Sequence, residues 1–192
     1  MAIIDSIPEI QQLLKVSKTD TIKINLTGTP VAGRYPCVNI FINQVCYWQG
    51  LVQELTEVNF DELLLGSGSI EIDLQYINKT SQDTKLVGDK IVENQCVQIN
   101  FIEINQLKLY SHDLINNSST DYNLTDSETI AYNATDSPWK NVKTDVLYNN
   151  GTWKMHLKKP IITTLLKQKS LVYHVFETSH LDVLTKLQQY FK

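Results

Sequence analysis

Hydrophobic and polar side chains alternate with a period of two along much of the chain, the mark of strands with one buried face. The segment SIEIDLQY (69–76) sets Ile70, Ile72, Leu74 and Tyr76 against Glu71, Asp73 and Gln75. A polar turn over 78–89 leads to a second run, in which Val97, Ile99 and Phe101 share a face. Asn105-Gln106 breaks that run, and Leu107, Leu109 and Ser111 resume it. Connections this short hold no crossover helix, so the strands belong to an antiparallel sheet. Upstream, TIKINLTGT (21–29) points Ile22, Ile24 and Leu26 inward until Gly28 and Pro30 end it. After the turn-rich VAGRYP, Val38, Ile40 and Ile42 take one face and Phe41 the other. Asn43-Gln44 then reverses the chain, and the return strand runs from Val45 through Leu51 to Val58. FDELLL (60–65), stopped by Gly66-Ser67-Gly68, is expected as a loop or short strand.

Between His112 and Asp145 the alternation dissolves into Asn, Ser, Thr and Asp with scattered aromatics, predicting a long insertion elaborated on the sheet. VLYNNGTWKMHLKKP restores the pattern. Asn150-Gly151 matches the type I′ hairpin, whose two central residues need positive φ. Trp153, Met155 and Leu157 face one way, and Thr152, Lys154, His156 and Lys158 the other. LVYHVFET (171–178) is expected as a further strand. Helical spacing marks the two ends. Ser6-Ile7-Pro8-Glu9 has capping-box spacing before Ile7, Ile10 and Leu14, and Ser179 with Asp182 opens an amphipathic helix carrying Leu184, Leu187 and Phe191. The expected architecture is mostly β: an antiparallel, jelly-roll-like β-sandwich over 20–178 with an insertion at 112–145, an N-terminal helical arm (1–19) and a C-terminal amphipathic helix (179–192).

With 192 residues the chain can bury a core without disulfides or metal. The formal net charge of −4 is spread over interspersed residues, and Arg34 is the sole arginine. That leaves no basic stripe for nucleic acid. No apolar run reaches membrane-spanning length, and the N-terminus lacks the basic start of a signal peptide. Cys37, Cys46 and Cys96 show no C-x-x-C spacing and are expected as buried free thiols, in keeping with a reducing cytosol.

No catalytic constellation emerges. His112, His156, His174 and His180 are scattered, without metal-ligand spacing, and no phosphate loop or nucleophile elbow occurs. No enzyme, cofactor or metal is therefore expected. Glu71 and Asp73 share one strand face, either as a glycosidase-like pair or as two solvated carboxylates. Asp83, Asp89, Glu93 and Asn94 surround a turn and suit either hard-oxygen calcium ligation or Asx-type turns. Tyr35, Tyr47, Trp48, Tyr132, Trp139 and Tyr148, with amides such as Asn43, suit either sugar stacking or core and interface packing. Ile10 and Leu14, with Leu184, Leu187 and Phe191, would make the end helices lids or docking arms.

Three local patterns carry a resemblance: the hairpin with Asn43, the turn holding Asn78, Lys79, Asp83 and Thr84, and the N-G-x-W segment of Asn150, Gly151 and Trp153. Over about residues 20–160 the chain resembles jelly-roll virion proteins of tailed phages, especially myoviruses infecting marine cyanobacteria. It is more loosely similar to carbohydrate-binding modules on the same sandwich. The first resemblance implies a non-enzymatic structural protein of capsid, neck, tail or baseplate. It would be assembled in host cytoplasm, located in the virion, and partnered by other virion proteins and by itself. The second implies attachment to host surface glycan through Tyr47, Trp48, Trp139, Tyr132 and Asn43.

Overall fold

A computed structural model describes residues 19–65, 68–123, 140–159 and 161. Two five-stranded antiparallel sheets pack face to face. The first contains β1 (Asp20–Thr29), β4 (Thr56–Leu63), β8 (Cys96–Ile104), β9 (Leu107–Tyr110) and β11 (Val146–Leu147), in the order β11-β8-β1-β4 with β9 also pairing β8. The second runs β10-β12-β5-β2-β3, where β2 is Cys37–Ile42, β3 Val45–Leu51, β5 Ser69–Tyr76, β10 Ser118–Tyr122 and β12 Gly151–Lys158. A separate ribbon pairs β6 (Thr84–Val87) with β7 (Lys90–Asn94).

The alternation is what builds the layers. Ile22, Ile24 and Leu26 of one sheet meet Val38, Ile40, Ile42, Ile70, Ile72, Leu74 and Trp153 of the other in one apolar cluster. Trp153 is wholly buried, and its indole N–H donates to the Thr144 carbonyl at 2.9 Å, so its polar atom is satisfied where the ring packs. Truncating such a side chain to Ala costs on the order of 3–5 kcal/mol. Both reversals expected at Asn43-Gln44 and Asn105-Gln106 form, with all four residues at positive φ.

Several expectations are corrected. The return strand after Asn43-Gln44 stops at Leu51, because the chain crosses to the other sheet and starts β4 at Thr56. FDELLL takes the strand form of its two expected states: β4 extends to Leu63 through a bulge at which Glu62 takes φ 55°. Asn150-Gly151 is no hairpin turn. β11 pairs β8 and β12 pairs β5, so this dipeptide carries the chain between sheets. The predicted insertion contains a helix, α1 (Ser111–Asn117), and the strand β10. Cys46 is exposed, while Cys37 and Cys96 are half-buried; all three are free thiols. The end helices with Ile10, Leu14, Leu184, Leu187 and Phe191, and the segment 171–178, lie outside the described residues.

The most informative correction concerns β8. Asn25 pairs with Phe101 and Leu26 with Ile99, so Asn100 is an extra residue. This bulge reverses the alternation. Val97 and Ile99 face the core, then Ile102 and Ile104 do, and Phe101 turns outward.

Candidate functional site

Asn78, Lys79, Asp83 and Asn150, which carry part of the sequence resemblance, gather at one end of the sandwich and staple backbone there, whereas Asn43 does so at the other end of β2. The Asn78 side chain accepts from Cys37 N at 2.7 Å and donates to the Tyr35 carbonyl at 3.0 Å. The Asn150 amide grips both backbone groups of Lys79 at 2.8 Å, copying a strand pairing without a strand. Asn43 Oδ1 accepts from Glu71 N at 2.9 Å. The Lys79 ammonium donates to Asn94 Oδ1, to the Gln95 carbonyl at 2.9 Å and to the Tyr148 carbonyl at 2.5 Å. Burial pushes the Lys79 pKa below its ordinary value. Beside it, the Tyr76 hydroxyl donates to Gln95 Oε1 at 2.6 Å and is pushed well above the usual tyrosine range by burial, then by Asp83.

The acidic residues around this turn are placed as follows. Asp83 is 1% exposed; its Oδ2 accepts from Thr80 N and Oγ1, and its Oδ1 lies 3.3 Å from the Arg34 guanidinium. Asp89 sits in the turn at the far tip of the β6–β7 ribbon, about 13 Å away along the four strand residues between them. The two carboxylates cannot share an ion. Among the described residues no three His, Cys, Asp or Glu side chains are grouped to hold a metal. The cationic groups described at this end are the Lys79 ammonium and the Arg34 guanidinium.

The outer face of the second sheet is different in kind. Strand register aligns Asp121, Thr152, Gln75, Asn39 and Gln49 in one transverse row across five strands. The next row is Ser119, Lys154, Asp73, Phe41 and Cys46. With strands about 4.8 Å apart, a row spans roughly 19 Å. Asn25, Asn43, Asn78, Asn100, Asn105, Asn117 and Asn150 all use their amides to tie the protein together. Thr152, Gln75, Asn39 and Gln49 do not, although Gln75 and Asn39 are half-buried at the centre of the sheet. Asn39 Oδ1 and Asp73 Oδ1 have no hydrogen-bond partner among the described residues. Burial first, then the neighbouring Glu71, raises the Asp73 pKa, and Lys154 partly offsets them. Lys154 is also 3.6 Å from Asp121, so charge in the rows is largely paired.

The expected site residues fare unevenly. Glu71 and Asp73 do share the outer face, where Glu71 stands opposite His156 and Asp73 opposite Lys154 on β12. Tyr47 lies on the edge strand β3, its ring 5.9 Å from that of Phe60 in the other sheet. Trp48 packs against the core cluster. Asn43 is a staple, so these three form no common sugar-stacking surface. Tyr132 and Trp139 lie outside the described residues. Sequence reasoning missed the amide row, because register, which aligns residues from five separate strands, is invisible in a linear pattern.

No family model matches the chain, and no curated protein matches it. Two solved structures are similar in fold. One is the selenomethionine form of vCBM60, from work on a circular permutation linking two families of calcium-dependent carbohydrate binding modules. Its TM-score is 0.45 and its identity 14%, over 71% of this chain and 90% of that one. The other is vCBM60 in complex with galactobiose, with TM-score 0.42 and 14% identity over 70% and 96% of the two chains. Likeness at this level specifies no ligand, metal or site.

Proposed function

We propose that this chain is a non-catalytic carbohydrate-binding β-sandwich that takes glycan on the outer face of the second sheet. The carrying observation is the in-register row Thr152-Gln75-Asn39-Gln49, whose side chains tie to no other side chain or backbone group among the described residues. Each amide offers both donor and acceptor, which is what a chain of vicinal hydroxyls requires, and a hydroxyl such as Thr152 does the same. Phe41, in the adjacent row, adds an apolar surface. A row of four side chains, spanning roughly 14 Å across three strand spacings, suits an extended oligosaccharide rather than a single sugar. Binding to a glycan array tests this reading. The double variant Asn39→Ala/Gln75→Ala should lose about tenfold or more of the affinity of the wild type, from two lost hydrogen bonds of about 1 kcal/mol each. A wild type silent on every glycan contradicts the proposal.

A second reading, a subunit that docks onto another protein, as the phage resemblance would imply, draws on the β6–β7 ribbon. Leu86, Val87, Ile91 and Val92 there are each more than half exposed. Exposed apolar surface on a protruding ribbon suits docking onto another protein. Mass spectrometry of purified particles tests that role, and absence of the chain from them contradicts it.

A further inference from the structure

We propose a second ligand subsite on the opposite face of the sandwich, where Tyr110, backed by Phe101, offers a stacking surface for the apolar face of one neutral sugar ring. The inference rests on the carbohydrate reading and adds a separate site to it. Its origin is the bulge at Asn100. Simple alternation would send Phe101 into the core, and the extra residue turns it to solvent instead. The bulge is fastened: the Asn100 amide donates to Asn25 Oδ1 and Thr27 Oγ1, both at 2.8 Å. Bulges commonly re-aim a side chain beside a functional site.

What Phe101 meets outside is a partner ring. It stands directly opposite Tyr110 on β9, with centroids 6.2 Å apart and planes tilted by 58°. Lys108 sits 4.5 Å above the Phe101 ring, and Glu103 lies 3.7 Å from Lys108. The arrangement holds Phe101 in place while Tyr110 remains 56% exposed. The negative face of an aromatic ring attracts the weakly positive C–H face of a pyranose, and a preorganised ring loses little freedom on binding. Because Lys108 and Glu103 neutralise each other, the surface favours an uncharged sugar. The two outer faces of a sandwich point in opposite directions, so one molecule would hold two glycan segments at once and cross-link a polysaccharide.

Native affinity gels cast with soluble xylan, β-glucan, galactan or mannan, with light scattering of mixtures in solution, test the subsite. The proteins are wild type, Tyr110→Ala, Tyr110→Phe and Asn39→Ala/Gln75→Ala, each checked for an unchanged circular dichroism spectrum. Tyr110→Ala should weaken retardation about fivefold and abolish cross-linking, whereas Tyr110→Phe keeps both. Loss of all binding in Asn39→Ala/Gln75→Ala, with Tyr110→Ala retarded and cross-linking like wild type, overturns the subsite and leaves the amide row standing. Loss confined to Tyr110→Ala keeps the subsite and removes the row. No retardation of wild type in any gel overturns both.

Discussion

Replacing Lys79 with Met removes an ammonium that joins three carbonyl oxygens while keeping most of the side chain's volume. Two of the acceptors are the Gln95 and Tyr148 backbone carbonyls and the third is Asn94 Oδ1, so one amine ties three stretches of chain together. Hydrogen bonds to a charged donor are worth about 1.5–3 kcal/mol each, giving a gross loss of roughly 4–9 kcal/mol. Two offsets reduce it: the half-buried ammonium no longer has to be desolvated, and water reaches part of the site. A net destabilisation of about 3 kcal/mol follows. At roughly 2–4 °C per kcal/mol for a chain of this size, the melting temperature should fall by about 6–12 °C. Calorimetry measures it directly. Lys85→Met is the control, since the Lys85–Glu93 pair is exposed and contributes within about 0.5 kcal/mol. The pH dependence adds a second constraint. Burial holds the folded-state pKa of Lys79 below its unfolded value, so the folded protein loses that proton first. Stability from this group therefore rises with pH between the lowered value and the ordinary one near about 10.4. Wild type should gain on Lys79→Met in that alkaline window. A Lys79→Met protein melting within about 2 °C of wild type, or a gap that closes with rising pH, refutes the reasoning.

Other expectations follow from single contacts. Thr120 is fully buried with its hydroxyl unpartnered, so Thr120→Val should stabilise the fold by about 1 kcal/mol in chemical denaturation. A Cβ on Gly151 would lie 2.6 Å from the Asp121 carbonyl oxygen, so Gly151→Ala should destabilise by more than about 2 kcal/mol and loosen β10 in hydrogen exchange. The raised pKa of Asp73 makes its ionised form unfavourable in the folded state. Asp73→Asn should therefore melt above wild type at neutral pH, and the advantage should vanish as pH falls below about 4, the unfolded carboxylate value. Asn150→Ala leaves both Lys79 backbone groups unpaired and should cost about 2 kcal/mol.

Much of the sandwich was legible because burial imposes a period of two. Ile70, Ile72, Leu74, Trp153, Met155 and Leu157 are interior where alternation places them. The failures have specific causes. Asn150-Gly151 has the composition of a hairpin turn, yet Asn150 is consumed by Lys79 and Gly151 by the close approach of β10, neither of which is local in sequence. Phe101 carried a readable clue: Val97 and Ile99 are in one phase, Ile102 and Ile104 in the other, so an extra residue had to lie between them. Ser111–Asn117 has only Leu114 buried, so its helix has no apolar stripe to announce it. The amide row could not be seen at all, since it exists only once register is set by the core on the opposite side of the same strands.

Side-chain amide resonances provide the most direct test of ligand binding on the row. Two-dimensional nitrogen–proton spectra would follow the NH₂ groups of Asn39, Gln49 and Gln75 during titration with the oligosaccharide giving the strongest array signal. Those three should shift progressively and saturate together, while the Asn78 and Asn150 amides, committed to Tyr35 and Lys79, stay fixed. Saturable shifts elsewhere with Asn39, Gln49 and Gln75 unmoved would contradict the account.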